Sequence, residues 1–429
     1  MKIFPSRRTV KRLGIGVAIL LGGALIVNGF FSWRTEARFR RIIRDIRAAG
    51  DPASIADLKP APIPDEVNAA AAIDKLAPRL EEFANEQGRF YKTDLGKAYG
   101  DLKEGEQPTA EQIAAMRTIL DKYADLEQMI VAAAAMPQFA STADFSLGFH
   151  DYLEAQIDRV SRIRTIARYI HWRTQMLVAE GRREEALDLG LKLLRLSELN
   201  ESEPTMMSFL VTIVVRNIAL QNIFEALSAG PVSEETHQHI DEALGRIAQG
   251  RPDLDYVLRT ERAVSSTSMD QVGEMIPSPI SSVLGWSVKR HFIDAVESYE
   301  PLFEVAGLPW YELKPMFAAG ELTARSEGGV LAELLLPSLQ ASFKAASRDA
   351  AMIRALRVYN ALLMAEQAGH EPQGLDGLDL PAEETVDPFT GQPLIVKRTD
   401  RGWVVYSVGL NEVDDGGEFE KGEDSGFGE

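Results

Sequence analysis

The side chains best suited to acid–base or metal chemistry are six histidines, His150, His171, His237, His239, His291 and His370, scattered along 429 residues. His237-Gln-His239 falls on an expected helix, where positions two apart point to nearly opposite faces, so these imidazoles are not placed to share a metal ion. His150-Asp151 with Glu154 and Asp158 sets acids at helical spacing within reach of Arg159, Arg162 and Arg164, a pattern that reads first as structural ion pairing. The chain has no cysteine, which excludes disulfides, thiol catalysis and cysteine-ligated zinc. It also carries no Gly-x-Ser-x-Gly elbow, no His-Glu-x-x-His pair, no phosphate-binding loop and no dinucleotide fingerprint. These residues favour a non-enzymatic protein. The alternative is a membrane-anchored hydrolase with a site between helices, using His150, Asp151 or the region of His237.

Charge and hydropathy place the chain before any motif does. Residues 1–50 hold eleven Lys and Arg against two acids, leaving 35 basic and 62 acidic residues for the rest, so an overall charge of -18 divides into +9 and -27. A body that acidic is not built for nucleic acid, because phosphate contacts need clustered Lys and Arg. Gly14 to Phe31 is uncharged and long enough to approach the thickness of a bilayer core. Asn28, Gly29, Phe30, Phe31, Ser32 and Trp33 follow where a cleaved signal would place small residues, so an uncleaved anchor is expected. Basic residues flank it on both sides, Lys2, Arg7, Arg8, Lys11 and Arg12 against Arg34, Arg38, Arg40, Arg41, Arg44 and Arg47, and charge alone does not orient it. Residues 34–48 read as a helix on anionic headgroups, with Phe39, Ile42, Ile43 and Ile46 toward lipid.

The elements that must position any site are mostly helical. Asp57-Leu-Lys-Pro-Ala-Pro-Ile-Pro64 reads as a stiff extended linker. Beyond it, apolar residues recur at three and four, and the spacing predicts helices near 66–87, 109–136, 149–180, 183–199, 204–229, 233–248, 285–305 and 330–368. Thr109 with Gln112 forms a capping-box pattern, Ser233 is a candidate N-cap, and Gly181 and Gly369 are stops. Glu180 to Leu194 resembles the centre of a tetratricopeptide repeat at Gly181, Ala186 and Leu193, but as a single partial match it reads as an ordinary antiparallel helix pair. Met206 to Phe224 is apolar but contains Arg216, Asn217, Gln221 and Asn222, which argues for a core helix rather than a span. Residues 262–284, rich in Ser, Pro and Met, read as an irregular loop.

After Gly369 the pattern changes. Leu394 to Arg398 and Trp403 to Val408 are β-rich runs joined by Thr399-Asp-Arg-Gly402, a hairpin signal. Phe343, Ala346, Ala350, Ile353, Leu356 and Leu363 line one face of the preceding helix, which would pack on that hairpin. In order, Arg357, Tyr359 and Ala361 on the helix, then Gly369, Pro372 and Leu375, Asp387-Pro388, Gly391, Pro393, Tyr406-Ser-Val-Gly409, Asn411 and Asp414-Asp-Gly-Gly417 complete a sequence of parts. Over about seventy residues, this order resembles the globular tip of the major pseudopilins of type II secretion and related type IV pilin-like proteins. That resemblance implies a calcium ion held by the Val408 carbonyl, Asn411, Asp414 and Asp415, oxygen donors suited to a hard cation. The anchor lacks the glutamate of pilin helices and some three hundred residues separate it from the tip-like unit, which argues against prepilin processing.

The expected architecture is mainly α: a cytoplasmic basic tail and transmembrane anchor (1–33), a juxtamembrane amphipathic helix and Pro-rich linker (34–64), an α-helical bundle or solenoid-like body (65–335), a small α+β pseudopilin-like module with a β-hairpin (336–417) and an acidic disordered tail (418–429). The resemblance orients the anchor with its N-terminus cytoplasmic. The expected protein is a single-pass bacterial inner-membrane protein whose bulk is periplasmic. It contacts the bilayer through Gly14–Phe31 and residues 34–48, has protein partners in the envelope and binds no nucleic acid. A cytosol-facing helical adaptor is the remaining alternative.

Overall fold

The computed structural model describes residues 7–102, 106–249, 254–270, 278–322, 330–419 and 424–428. The chain begins with α1 (Arg7–Ala48), one unbroken helix of 42 residues. No proline interrupts it between the apolar stretch and the arginine-rich part, so the two are a single rod. The second half of α1 lies along α12 (Ser278–Glu297). Phe39 packs with Met269 and Ile293, and Ile46 with Ala53 and Val296. Arg38 reaches Asp294 at 3.4 Å and Glu297 at 2.6 Å, and Lys289 reaches Glu36 at 3.0 Å. The stripe expected to face lipid is therefore covered by protein, because two acids of α12 hold Arg38 and apolar side chains close over Phe39 and Ile46.

The start of the Pro-rich linker is docked, while much of 59–64 is exposed. Ile55 and Leu58, in a short 3-10 turn, pack with Phe145 and Tyr152, and the Ile55 amide donates to Thr267 Oγ1 at 2.9 Å. The body follows with α2 (Ala69–Lys75), α3 (Ala77–Phe90), α4 (Asp94–Gly100), α5 (Ala110–Leu120), α6 (Ala124–Ala134), α7 (Phe149–Ala179), α8 (Arg183–Asn200), α9 (Met206–Ser228), α10 (Glu234–Gln249) and α11 (Leu254–Asp270). After α12 come α13 (Glu300–Phe303), α14 (Trp310–Ala318) and the long α15 (Val330–Gln367). The Thr109–Gln112 capping box is present, and Ser233 Oγ accepts from the Thr236 amide. Gly181 and Gly369 follow their helices with φ of +75° and +78°, the left-handed conformation that suits glycine at a helix end.

At the centre runs α9, apolar on all sides and packed against α7, α8 and α15. Among the described residues it is the helix long and apolar enough to cross a membrane, yet 61% of its apolar window is buried within the protein. Arg216 on this helix is fully buried and held by Asp349 at 2.6 Å and by Glu201. Close packing of α8 on α9 depends on Gly190, where a Cβ would lie 2.9 Å from Ile223 Cγ1. Gly181, the repeat-like glycine, has no neighbour within 4 Å of its Cβ position, so it works by conformation rather than by contact.

A three-stranded antiparallel sheet, in order β1 (Ile395–Thr399), β2 (Gly402–Ser407) and β3 (Ser425–Phe427), covers α15. The hairpin register pairs Ile395 with Tyr406 and Thr399 with Gly402. The third strand lies in what the sequence reads as a disordered tail. Phe427 is 1% exposed and stacks at 5.2 Å on Phe224 of α9, which also meets Tyr359 at 5.1 Å. One hydrophobic core thus runs from Ala69 to Phe427, and the helix-and-sheet unit shares that core instead of standing apart as a tip. Arg357 ties it down from α15, pairing with Asp241 of α10 at 2.7 Å and with Glu384.

Candidate functional site

The C-terminal loop is organised by Asp387. Its turn is closed by the Gly391 amide donating to the Asp387 carbonyl at 2.9 Å, while its carboxylate accepts from the Phe389 amide at 2.8 Å, Ser407 Oγ at 2.8 Å and the Val408 amide at 3.0 Å. One buried carboxylate thereby fixes where β2 ends and where the loop after Val408 begins. Within that loop, Asn411 donates its amide to Asp415 at 2.9 Å and accepts from the Val413 amide at 3.0 Å. Asp414 turns the other way, toward the Tyr406 hydroxyl at 2.5 Å, the Gly416 amide at 2.9 Å and Lys397 at 3.3 Å. Tyr406's hydrogen bond, with help from Gly416 and Lys397, holds the Asp414 carboxyl below the usual range.

The sequence reading misses Asp424. Its side chain is 1% exposed; Oδ2 accepts from the Gly417 amide at 2.8 Å, and Oδ1 has no hydrogen-bond partner. Burial pushes its carboxyl upward, opposed by the Gly417 and Asp415 backbone amides and reinforced by the charges of Asp415 and Asp414. Asn411, Asp414, Asp415 and Asp424 lie around one glycine-rich segment but are not gathered at one point: Asp414 faces Tyr406 and Lys397, Asp415 faces Asn411, and among the described residues the three carboxylates do not form a cluster within 4.8 Å of one another. Their oxygens are donors of the kind that calcium takes. The only sequence signal for Asp424 is an acid two residues before the Gly426-Phe427 pair.

The other candidates separate. His150, Asp151 and Glu154 are exposed at the start of α7, with ligand atoms within 4.8 Å of one another. The arginines expected to pair with them go elsewhere: Arg159 to Glu203 at 3.1 Å and Arg162 to Asp74 at 2.6 Å. His237 is buried, its Nδ1 2.7 Å from Asn360 Oδ1, while His239 is exposed on the opposite face. His237 is a strut between α10 and α15.

A cleft that the sequence did not announce lies between α4, α7, α9 and α15. It encloses about 650 Å³ and is lined by Tyr91, Tyr99, His171, Gln221, Glu225 and Arg348, among others. The Tyr99 hydroxyl donates to Gln175 Oε1 at 2.7 Å, and a ring nitrogen of His171 lies 2.7 Å from Asn222 Oδ1. Glu225 is half-buried and receives one long hydrogen bond, from the Gln221 amide at 3.4 Å. Burial pushes its carboxyl upward, opposed by the charge of His171. These residues come from helices up to two hundred and fifty positions apart, so no local spacing could have revealed them.

Comparison with known proteins gives no relative: no family model matches the chain, and neither a curated protein nor a solved structure matches it.

Proposed function

We propose that this is a non-enzymatic, membrane-anchored protein of the bacterial envelope. In this reading the first half of α1 crosses the inner membrane with its N-terminus in the cytoplasm, and the body is an interaction and assembly scaffold on the periplasmic side. The observation that carries it is the apolar surface of α1: Ile19, Leu25, Ile26 and Trp33 are 67–75% exposed, on a helix whose other half is embedded in the body. A contiguous run of large apolar side chains left in water costs free energy that a bilayer would recover, at roughly 25 cal/mol per Å². Because the rod is unbroken, the anchor would set the body's orientation on the membrane rather than tether it loosely.

The helix-and-sheet unit supports the pseudopilin-like reading in the order of its parts, and Asn411, Asp414, Asp415 and Asp424 with the Val408 carbonyl are the residues that would hold calcium. Bound there, calcium would neutralise the acids and cross-link the loop to β3. The test uses the full chain in detergent and in isolated membranes. The protein should stay in the membrane pellet after alkaline carbonate washing, and a chain beginning at residue 34 should be released. Calcium should raise the melting temperature relative to chelator, and Asp414→Ala with Asp415→Ala should abolish the shift. Release of the full chain by carbonate overturns the anchor, and an unchanged melting temperature overturns the calcium site.

A further inference from the structure

The cleft between α4, α7, α9 and α15 has the makings of a small-molecule site, and its chemistry is specific enough to name a ligand class. Its volume of about 650 Å³ lies in the range of small-molecule pockets. The Glu225 carboxylate opens onto it with one 3.4 Å hydrogen bond and, among the described residues, no cation within 4.0 Å. The charge of His171 acts on Glu225 from a distance, but its ring makes its hydrogen bond to Asn222 at 2.7 Å and makes none to Glu225, so the carboxylate has no direct cationic partner among the described residues.

The same cleft is lined by an aromatic pair. The rings of Tyr91 and Tyr99 lie 6.0 Å apart at 43°, and Trp172 backs both at 6.0 and 6.1 Å. Aromatic faces attract a cation within about 6 Å of the ring centre, and more strongly where water is displaced. Val214, Ile218 and Met352 provide an apolar lining beyond it. Arg348 on the α15 wall and Glu106 also line the cleft, so its remaining charges are of both signs.

We propose that this cleft binds a small organic monoamine: a protonated amino group placed between Glu225 and the tyrosine faces, carrying an apolar body that lies along α9 and α15. The carboxylate supplies the charge, the tyrosines select a cation over a neutral donor, and the apolar lining selects a hydrocarbon body over a hydrated inorganic ion. This goes beyond the anchored-scaffold reading and does not depend on it, since the residues that line the cleft belong to the helical body and none lies on α1.

The experiment titrates the purified full chain in detergent by calorimetry, against protein-free micelles, with phenethylamine, its neutral isostere 2-phenylethanol and its anionic counterpart 3-phenylpropanoate. Phenethylamine should bind at least tenfold more tightly than either. Glu225→Gln, which keeps the shape and removes the charge, should abolish that preference while a distant exposed control, Glu234→Gln, leaves it intact. Should Glu225→Gln not fold, as judged by its melting transition, Tyr91→Leu at the rim should still weaken the amine at least threefold. Equal binding of the neutral isostere, an undiminished amine affinity in Glu225→Gln or in Tyr91→Leu, or no binding heat from any probe overturns the proposal.

Discussion

Replacing Asp387 with alanine should unfasten the C-terminal sheet while leaving the helical body in place. The carboxylate is 2% exposed and accepts three hydrogen bonds, from the Phe389 and Val408 amides and from Ser407 Oγ. The serine hydroxyl can rotate toward another acceptor, but the two backbone N–H groups cannot. Stranding a buried donor costs about 2 kcal/mol, so the two together cost about 4 kcal/mol, with asparagine losing about half because one acceptor oxygen remains. Hydrogen exchange followed by mass spectrometry reads this locally. Amides of β2 and the 386–394 turn should exchange about a thousandfold faster in Asp387→Ala, since each 1.4 kcal/mol is a factor of about ten, while α7 and α8 keep their protection. An exchange increase below about tenfold, corresponding to roughly 1.4 kcal/mol, would refute the claim that this carboxylate holds the turn to the strand.

Other perturbations reach different parts of the structure. Burial, opposed chiefly by Arg216, pushes Glu201 up to about 7 from 4.5, because one buried arginine faces two carboxylates. A carboxyl raised in the folded state contributes stability that is full below pH 4.5 and lost as pH rises through 7, so Glu201→Gln should flatten the fall in stability across that window in chemical denaturation at stepped pH. An unaltered slope would remove Glu201 as its source. Deleting residues 1–33 should leave the body folded, whereas deleting 1–48 uncovers Met269, Ile293 and Val296 and removes two buried side chains, Phe39 and Ile46, at about 3–6 kcal/mol, readable as a lower unfolding midpoint. Gly426→Ala would set a Cβ 2.1 Å from the Val405 carbonyl oxygen, so β3 should detach and become open to protease, with a loss of about 1–3 kcal/mol.

The long helices and the hairpin were legible because their signals are local: apolar spacing of three and four, the Thr109–Gln112 box, and two β-branched runs around Asp400-Arg401. Where tertiary packing overrules local preference, the reading failed. Residues 254–270 look loop-like from residue 262 because serine and threonine compete for the backbone, yet α11 forms there, with Ser266 and Thr267 bonding back to the carbonyls of Arg262 and Ala263 and with Val257, Leu258 and Val264 buried. β3 was hidden for the opposite reason. Three residues in an acidic, glycine-rich tail carry no period, and Phe427 reveals its place only by meeting Phe224. The stripe on residues 34–48 is apolar on one face as its spacing predicts, but it meets α12 instead of lipid, because sequence does not say that α12 supplies Asp294 and Glu297. Of the residues that could hold calcium, four were visible as a run and Asp424 was not, and the cleft around Glu225 is wholly a product of helix packing.

The account rests most directly on which side of the membrane the body lies. Paired fusions in a bacterial host, placed after residue 60 and after the last residue, would carry either a phosphatase active only outside the cytoplasm or a fluorescent protein that matures only inside. The account predicts active phosphatase and no fluorescence at both positions; fluorescence with inactive phosphatase would contradict it.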